Sequence, residues 1–300
     1  MNKGKITGTI AALLANVIFG FSFLFSKAAL KIAHPLIILS VRFTVSFAAL
    51  SILLAAGVFK VKIKGKKAGN LILMSIAQPL LYFLFELYGL KFTSSAISGI
   101  IIALVPVGVT LMSGVILKER PTAAQIIFSI ISLLGVAAVS LISNDGSKNR
   151  IVGIVLLFAA VASSCVFNLL SRKCSESFSV FERTYFMFLI SAIGFNIISL
   201  AVLRSGYFEG IKAAFSSAQF IISEGYLALL SSVGAFMLYN YSTSKITAIC
   251  SSSFSNIITV ISVLAGVFIL KEEFSPLQFV LCIPVIVGVF GVNISGAKKE

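Results

Sequence analysis

The chain has few charged residues for its length. Asp, Glu, Lys and Arg make up 11% of its 300 residues, whereas a soluble domain carries roughly 25%. Hydrophobic residues account for 58%, and the mean hydropathy is +1.07, so there is too little polar surface to cover a water-facing globule. A membrane span needs about 20 apolar residues. The composition therefore predicts an all-α membrane protein with about ten spans, in contact with the lipid bilayer.

The sequence is also poor in the residues that catalysis and metal binding use. It has no tryptophan, a single histidine and four cysteines, and no two cysteines have the spacing of metal ligands. The patterns G-x-x-x-x-G-K-[ST], H-E-x-x-H and G-x-S-x-G are absent from it. We therefore expect no enzyme activity, no metal site and no cofactor.

The net charge of +14 does not predict nucleic-acid binding, because no platform of aromatic and basic residues for bases is present. Lysines and arginines lie instead in the short gaps between apolar runs. Loops on the side of the N-terminus, with Arg183 counted among them, hold roughly twice as many as loops on the opposite side, which orients a membrane protein. Both termini are therefore predicted to be cytoplasmic, in a multi-pass protein of the cell membrane.

A weak internal repeat organises the chain. When residues 88–140 are shifted by 153 positions, the sequence ILKE at 116–119 falls on ILKE at 269–272, Gln125 on Gln278 and Gly135 on Gly288. A constant shift of this kind indicates a duplicated membrane unit. The predicted organisation is a first repeat over 1–142, a polar linker over 143–150 and a second repeat over 151–300.

Each repeat contains five apolar runs long enough for a helix. The predicted helices are at about 6–28, 36–59, 68–90, 95–117 and 122–142, and then at 151–171, 181–203, 219–241, 246–270 and 276–295. Because five is odd, the second repeat must enter the membrane from the opposite side. The predicted fold is therefore ten transmembrane helices arranged as two inverted five-helix repeats, which in other transporters enclose a site near the bilayer midplane.

Polar residues inside the apolar runs are candidates for such a site, since polar groups in a membrane usually face the bundle interior or a wet cavity. Gln78, Tyr82 and Glu86 share one helical face by their spacing of four residues. Serines also pack helices closely and bond their own carbonyls, so a structural role is open for each serine. The candidate substrate-binding residues are Asn16, Gln78, Tyr82, Glu86, Asn168, Tyr239, Ser251, Ser255 and Asn256.

Glu86 and Arg42 are the charged residues placed well inside apolar runs. Counted from their helix ends at 1.5 Å per residue, both lie at a similar depth in the outer half of the membrane. One interpretation is an ion pair between them. The other is that Glu86 carries a proton for coupling, which a permanent Arg42 partner would oppose.

Several segments together resemble the EamA-like branch of the drug/metabolite transporter superfamily. They are ANVIFGFSFLFSK at 15–27, PLIILSVR at 35–42, LKFTSSAISGIIIALVP at 90–106 and ILKERPTAAQ at 116–125, with a looser copy ILKEEFSPLQ at 269–278. The resemblance implies ten helices in inverted halves, a central substrate cavity and secondary transport, often the efflux of amino acids or other metabolites.

The expected function is a secondary active transporter that exports a small molecule, an amino acid or similar amphiphile, by proton-coupled alternating access. A second hypothesis is a non-transporting accessory or sensor subunit of the membrane, in which side chains would fill the interface between the halves. A passive channel is a third. A homodimer is one open alternative for the assembly.

Overall fold

The computed structural model describes residues 3–62, 68–116, 122–142, 150–273 and 275–297. The charged corner at 118–121 and all of the predicted linker except Arg150 lie outside these residues. All regular structure in the described ranges is helical. Eight of these helices are long and apolar enough to cross a membrane, and two shorter apolar helical stretches cover Ala123–Ala138 and Pro276–Gly288. The prediction of an all-helical membrane protein is confirmed.

The helices follow the apolar runs with few differences. The first five are α1 (Lys3–Leu30), α2 (Pro35–Ala55), α3 (Gly69–Phe92), α4 (Ser95–Ile102 and Val105–Ile116) and α5 (Ala123–Ile142). The next six are α6 (Arg150–Cys174), α7 (Val180–Leu203), the short α8 (Gly206–Phe215), α9 (Ala218–Lys245), α10 (Ala248–Ser253 and Ser255–Ile269) and α11 (Pro276–Ala297). The prediction that Arg183 lies in a loop is wrong, because it belongs to the first turn of α7.

The surface is apolar and the interior is partly polar. Large hydrophobic side chains such as Ile151, Ile197 and Phe268 are more than half exposed. Buried positions instead include Asn16, Arg42 and Glu86. This distribution suits a chain whose outer faces contact lipid, where polar groups must find partners inside the bundle.

Helices of the two sequence halves interleave. α3 packs against α6, and α9 packs against α1; α4 also contacts α6, and α10 contacts α1. α2 lies on α7, α4 on α10 and α5 on α11. The packing therefore places α1, α3, α4, α6, α9 and α10 around one centre.

Four of the central helices are irregular inside the bundle. α3 contains a π-helical stretch over Ile76–Leu81, and α9 contains one over Tyr226–Ala235. A shift of 153 residues maps the first into the second. α4 is interrupted at 103–104 and α10 at Phe254. Shifted by 153 residues, the first interruption falls within three residues of the second. Next to the interruption, only α4 has a proline, Pro106. Irregular backbone inside a membrane protein is tolerated where it is enclosed by protein or lines a cavity.

α5 and α11 approach each other closely through paired glycines. A Cβ atom on Gly288 would lie 2.6 Å from both the carbonyl oxygen of Phe128 and the amide nitrogen of Ser132. A Cβ atom on Gly135 would lie 2.9 Å from the amide nitrogen of Val285. Both helices also begin with the same cap, in which Gln125 and Gln278 each accept from an amide three residues earlier. Small residues at such crossings let membrane helices pack through their backbones.

Gly288→Ala is expected to lower the thermal unfolding temperature in detergent, because the added methyl meets backbone atoms that cannot rotate away. Overpacking of this kind costs about 1–3 kcal/mol. Gly225→Ala is the matched control, because a Cβ atom at that helical glycine meets nothing within 4 Å. Equal melting temperatures for the two variants would contradict this account of the α5–α11 contact.

The single histidine begins α2. His34 Nδ1 accepts a hydrogen bond from the backbone nitrogen of Leu36 at 3.3 Å, so the neutral ring caps the helix. Partial burial and the positive charge of Lys91 lower the pKa of His34 below its usual 6.5. The folded chain therefore binds this proton less readily than the unfolded chain does. The stabilisation is present above about pH 6.5 and is lost as the pH falls through the lowered folded pKa.

His34→Asn is expected to reduce the loss of thermal stability between pH 7.5 and pH 5.5, because asparagine caps a helix without titrating. Melting curves in detergent at the two pH values measure the difference. His34→Ala serves as the control that removes the cap at both pH values. If His34→Asn loses as much thermal stability between pH 7.5 and pH 5.5 as the unchanged protein does, protonation of the His34 cap is not the cause of that loss.

Candidate functional site: a central cavity with a buried charge cluster

A cavity lies at the centre of the bundle, between the irregular parts of the helices. Its empty space, with the open mouth included, is about 590 Å³. Its wall comes from α1, α3, α4, α6, α9 and α10. The lining residues are Asn16, Phe19, Ser22, Phe23, Gln78, Tyr82, Phe83, Glu86, Ile102, Val105, Ser164, Phe167, Asn168, Ser231, Phe236, Tyr239, Ser255 and Ile258.

The structure brings most of the predicted site residues together in this wall. Asn16, Gln78, Tyr82, Glu86, Asn168, Tyr239 and Ser255 all line the cavity. Ser251 does not, because it lies fully buried behind the wall with its hydroxyl 3.1 Å from that of Ser242. The side chain of Asn256 lies outside the described residues. Ser255 Oγ is buried, and none of the described residues hydrogen-bonds to it.

Two asparagines occupy equivalent places in α1 and α6. Asn16 Nδ2 donates to the carbonyl of Ala12 at 2.7 Å, and Asn168 Nδ2 donates to the carbonyl of Ser164 at 2.8 Å. Each amide thus uses its donor on its own helix. The Tyr239 hydroxyl donates to Asn168 Oδ1. The oxygen of Asn168 is therefore already used within the wall, and the hydroxyl of Tyr239 is fixed by it.

Gln78 lies at the break in α3. Its backbone is extended, with φ −150° and ψ 125°, inside the π-helical stretch. The following Pro79 has no N–H to continue a helical hydrogen-bond pattern. Gln78 Oε1 is buried and has no hydrogen-bond partner within the described ranges, so it is an acceptor available to a bound molecule.

Arg42 is buried beside the cavity and is held by α9. Its Nε donates to Ser232 Oγ at 2.9 Å and its Nη2 to Ser231 Oγ at 3.1 Å. Its guanidinium carbon lies 4.2 Å from the centre of the Phe83 ring. Ser231 also pairs with the cavity residue Ser22 at 2.6 Å. The hydrogen bonds recorded for the guanidinium thus go to serines, while its interaction with Glu86 is electrostatic.

Glu224 on α9 is a second buried carboxylate that the sequence reasoning missed. It is 4% exposed, compared with 3% for Glu86 and 2% for Arg42. It interacts electrostatically with Arg42, and neither of its oxygens has a hydrogen-bond partner among the residues that the structure describes. The signal in the sequence was its place in the 219–241 apolar run, about 10 Å from the N-terminal end of α9 at 1.5 Å per residue. Arg42 and Glu86 lie at the same depth on that measure.

Arg183 forms a second buried arginine site, at the opposite end of the bundle. It is fully buried. Its Nη1 donates to the carbonyl and the hydroxyl of Ser171 at 2.9 Å and to Thr243 Oγ1 at 3.1 Å. These contacts join α7 to α6 and α9. Because its guanidinium is used in packing and it does not line the cavity, we interpret Arg183 as structural.

These features define a multi-pass membrane protein with a polar and aromatic cavity between its sequence halves. The model of the EamA-like transporter family matches the chain twice, over residues 6–141 and 151–294. The chain belongs to the EamA-like transporter family.

Relatives and a solved structure agree with this assignment. The chain is 34% identical to the uncharacterized transporter YcxC of Bacillus subtilis (strain 168), over 97% of this chain and 94% of that protein. It is 23% identical to an uncharacterized transporter of Archaeoglobus fulgidus, over 88% of this chain and 90% of that protein. One crystal structure superposes with a TM-score of 0.71 at 16% identity, covering 98% of both chains, which shows the fold. Family and relatives support a membrane transporter, and suggest a protein that is not an enzyme.

Arg42→Gln is expected to destabilise the protein more than Arg42→Lys does. Lysine keeps the charge but cannot bond both serines with a planar fork, whereas glutamine leaves two buried carboxylates uncompensated, a loss of about 3–5 kcal/mol. Lower pH should partly restore Arg42→Gln, because protonated carboxyls need no counter-charge. Melting temperatures at two pH values test this, with the exposed Arg204→Gln as the control. An Arg42→Gln variant as stable as wild type at neutral pH would rule out this role.

Proposed function

We propose that the protein is a secondary active transporter that exports a small molecule, an amino acid or similar amphiphile, across the cytoplasmic membrane. Alternating access exposes the central cavity to one side and then the other, and protons drive the cycle. The observation that carries this proposal is a cavity, enclosed by six helices, whose wall contains the buried carboxylate Glu86. A cavity with aromatic walls and a few polar groups is typical of small-molecule sites.

Ten transmembrane helices in two inverted repeats are part of the proposal. Two separate matches of the family model, one in each half, support the duplication. Helix contacts support it as well. In the proposed repeat α3 corresponds to α9 and α6 corresponds to α1, and α3 packs against α6 as α9 packs against α1. The coincidence of the two π-helical stretches under the 153-residue shift is a third supporting observation. Both termini are cytoplasmic in this arrangement, on the bias of lysine and arginine between loops.

Proton coupling is assigned to Glu86. Burial opposes the charged form of a carboxylate, and Glu86 Oε2 has no hydrogen-bond partner in the described residues. The carboxyl also lies in the cavity wall, where a bound substrate would contact it. An accessory or sensor subunit would need no such enclosed space, so the cavity favours transport over that hypothesis.

Purified protein in proteoliposomes tests the proposal. Amino acids and their amphiphilic derivatives are expected to be taken up or exchanged faster with a pH gradient than without one. Glu86→Gln should remove the gradient dependence, whereas Glu209→Gln, which changes an exposed carboxylate on α8, should keep it. An unchanged gradient dependence in active Glu86→Gln would remove the proton role, and a screen without any flux would count against transport.

A further inference from the structure

The charges around Arg42 do not balance. The guanidinium of Arg42 on α2 interacts electrostatically with two carboxyls, Glu86 on α3 and Glu224 on α9, and all three side chains are at least 96% buried. Arginine stays protonated in proteins. If both carboxyls are ionised, the group of Arg42, Glu86 and Glu224, which we call the charge cluster, has a net charge of −1. A net charge in a buried site is strongly unfavourable unless it is compensated.

Hydrogen bonds do not compensate the missing charge. Arg42 donates its hydrogen bonds to Ser231 and Ser232, while both oxygens of Glu224 and one oxygen of Glu86 have no hydrogen-bond partner in the described part of the chain. Arg42 is the charged group that acts on each carboxyl from the neighbouring elements. The other titratable neighbours of Arg42 are Tyr82 on α3 and Tyr226 on α9. The polar side chains of α1 near this level are Ser22, Ser26 and Lys27, and the Lys27 ammonium donates to the carbonyls of Leu90 and Thr93. One positive charge is therefore needed, and a proton is the smallest candidate.

A cation bound in the cavity could supply the missing positive charge in place of the proton. Within the part of the chain that the structure describes, Glu86 is the carboxylate in the cavity wall, and no lysine or arginine is found there. The rings of Phe19, Phe23, Phe83, Phe167 and Phe236 surround the space. Aromatic faces attract cations. An anion in the cavity would be repelled by Glu86 and would find no basic side chain in the wall to bind it. The wall therefore favours a positively charged amphiphile over a negatively charged one.

We propose that the cavity binds an amphiphilic organic cation, an amine on an apolar body, in competition with one proton held by the charge cluster. Either the bound cation or the proton brings the cluster to zero net charge. Both together would give it a net charge of +1, so they compete. The proposal deepens the proposed function, because competition at one site would couple export of the cation to entry of a proton. Binding itself does not depend on transport.

Glu224 has a specific part in this scheme. It does not line the cavity, so it does not touch the ligand. Its charge is what leaves the cluster short of one positive charge, since Arg42 and Glu86 alone would balance. Removing the charge of Glu224 should therefore weaken cation binding and abolish proton release from a distance. A merely structural Glu224 would change stability without changing the number of protons released.

Four probes that share one aromatic body separate the charge classes: phenethylammonium, 2-phenylethanol, phenylalanine and phenylacetate. Isothermal titration of the full-length protein in detergent measures the affinity of each. Phenethylammonium should bind best, and its affinity should rise with pH by up to about tenfold per unit while the cluster holds the proton. Titrations in buffers of different ionisation heat should show release of up to one proton per cation bound. Equal or tighter binding of phenylacetate or 2-phenylethanol, or no binding of the cation at millimolar concentration, would overturn the proposal.

Two variants and a control complete the test. Glu86→Gln and Glu224→Gln should each weaken phenethylammonium roughly tenfold or more and reduce its pH dependence and proton release to near zero. Glu209→Gln on α8 should leave all three unchanged. If the melting curve shows that Glu224→Gln is folded and the variant still releases a proton, the role of Glu224 is contradicted. If the cation binds with proton release but is not moved in proteoliposomes, the proposed transport fails while this site stands.

Discussion

A positive charge buried in an apolar bundle is the constraint on which the centre of this protein depends. Arg42 cannot reach water or lipid headgroups, so the surrounding helices have to supply its partners. α9 provides two consecutive serines, α3 provides the face of Phe83 and a carboxylate, and α9 adds a second carboxylate. Because these groups come from both halves of the sequence, satisfying one guanidinium also fixes how the halves meet around the cavity.

The two sequence halves contribute different chemistry to the cavity. On the 153-residue shift, Glu86 of α3 corresponds to Tyr239 of α9. The first half thus contributes an acid to the wall, and the second contributes a phenol bonded to Asn168. A molecule in the cavity meets charge on one side and neutral hydrogen-bonding groups on the other.

Much of the site could be predicted from the spacing of polar residues in apolar runs. Gln78, Tyr82 and Glu86 recur every four residues, and an interior face follows directly from helical geometry. Ser251 shows the limit of that reasoning, because α10 is interrupted at Phe254, between Ser251 and Ser255, and only Ser255 of the two lines the cavity. Glu224 was missed because it has no polar neighbours three or four residues away, and only tertiary packing brings it to Arg42. Arg183 was counted with the loops because it lies in the first turn of the predicted helix at 181–203, and helix ends are the least certain part of a prediction from sequence.

The segment after α10 has a consequence for how the cavity can open. Glu272 accepts hydrogen bonds from the backbone nitrogens of Ser95 at 2.9 Å and Ala96 at 3.2 Å, at the first turn of α4. Deeper in the bundle, Thr259 Oγ1 donates to the carbonyl of Gly99 at 2.9 Å. α4 and α10 are thus clasped along their length, although they belong to different sequence halves. In the proposed alternating-access cycle, α4 and α10 would therefore move together, and the hinge would lie between other helices.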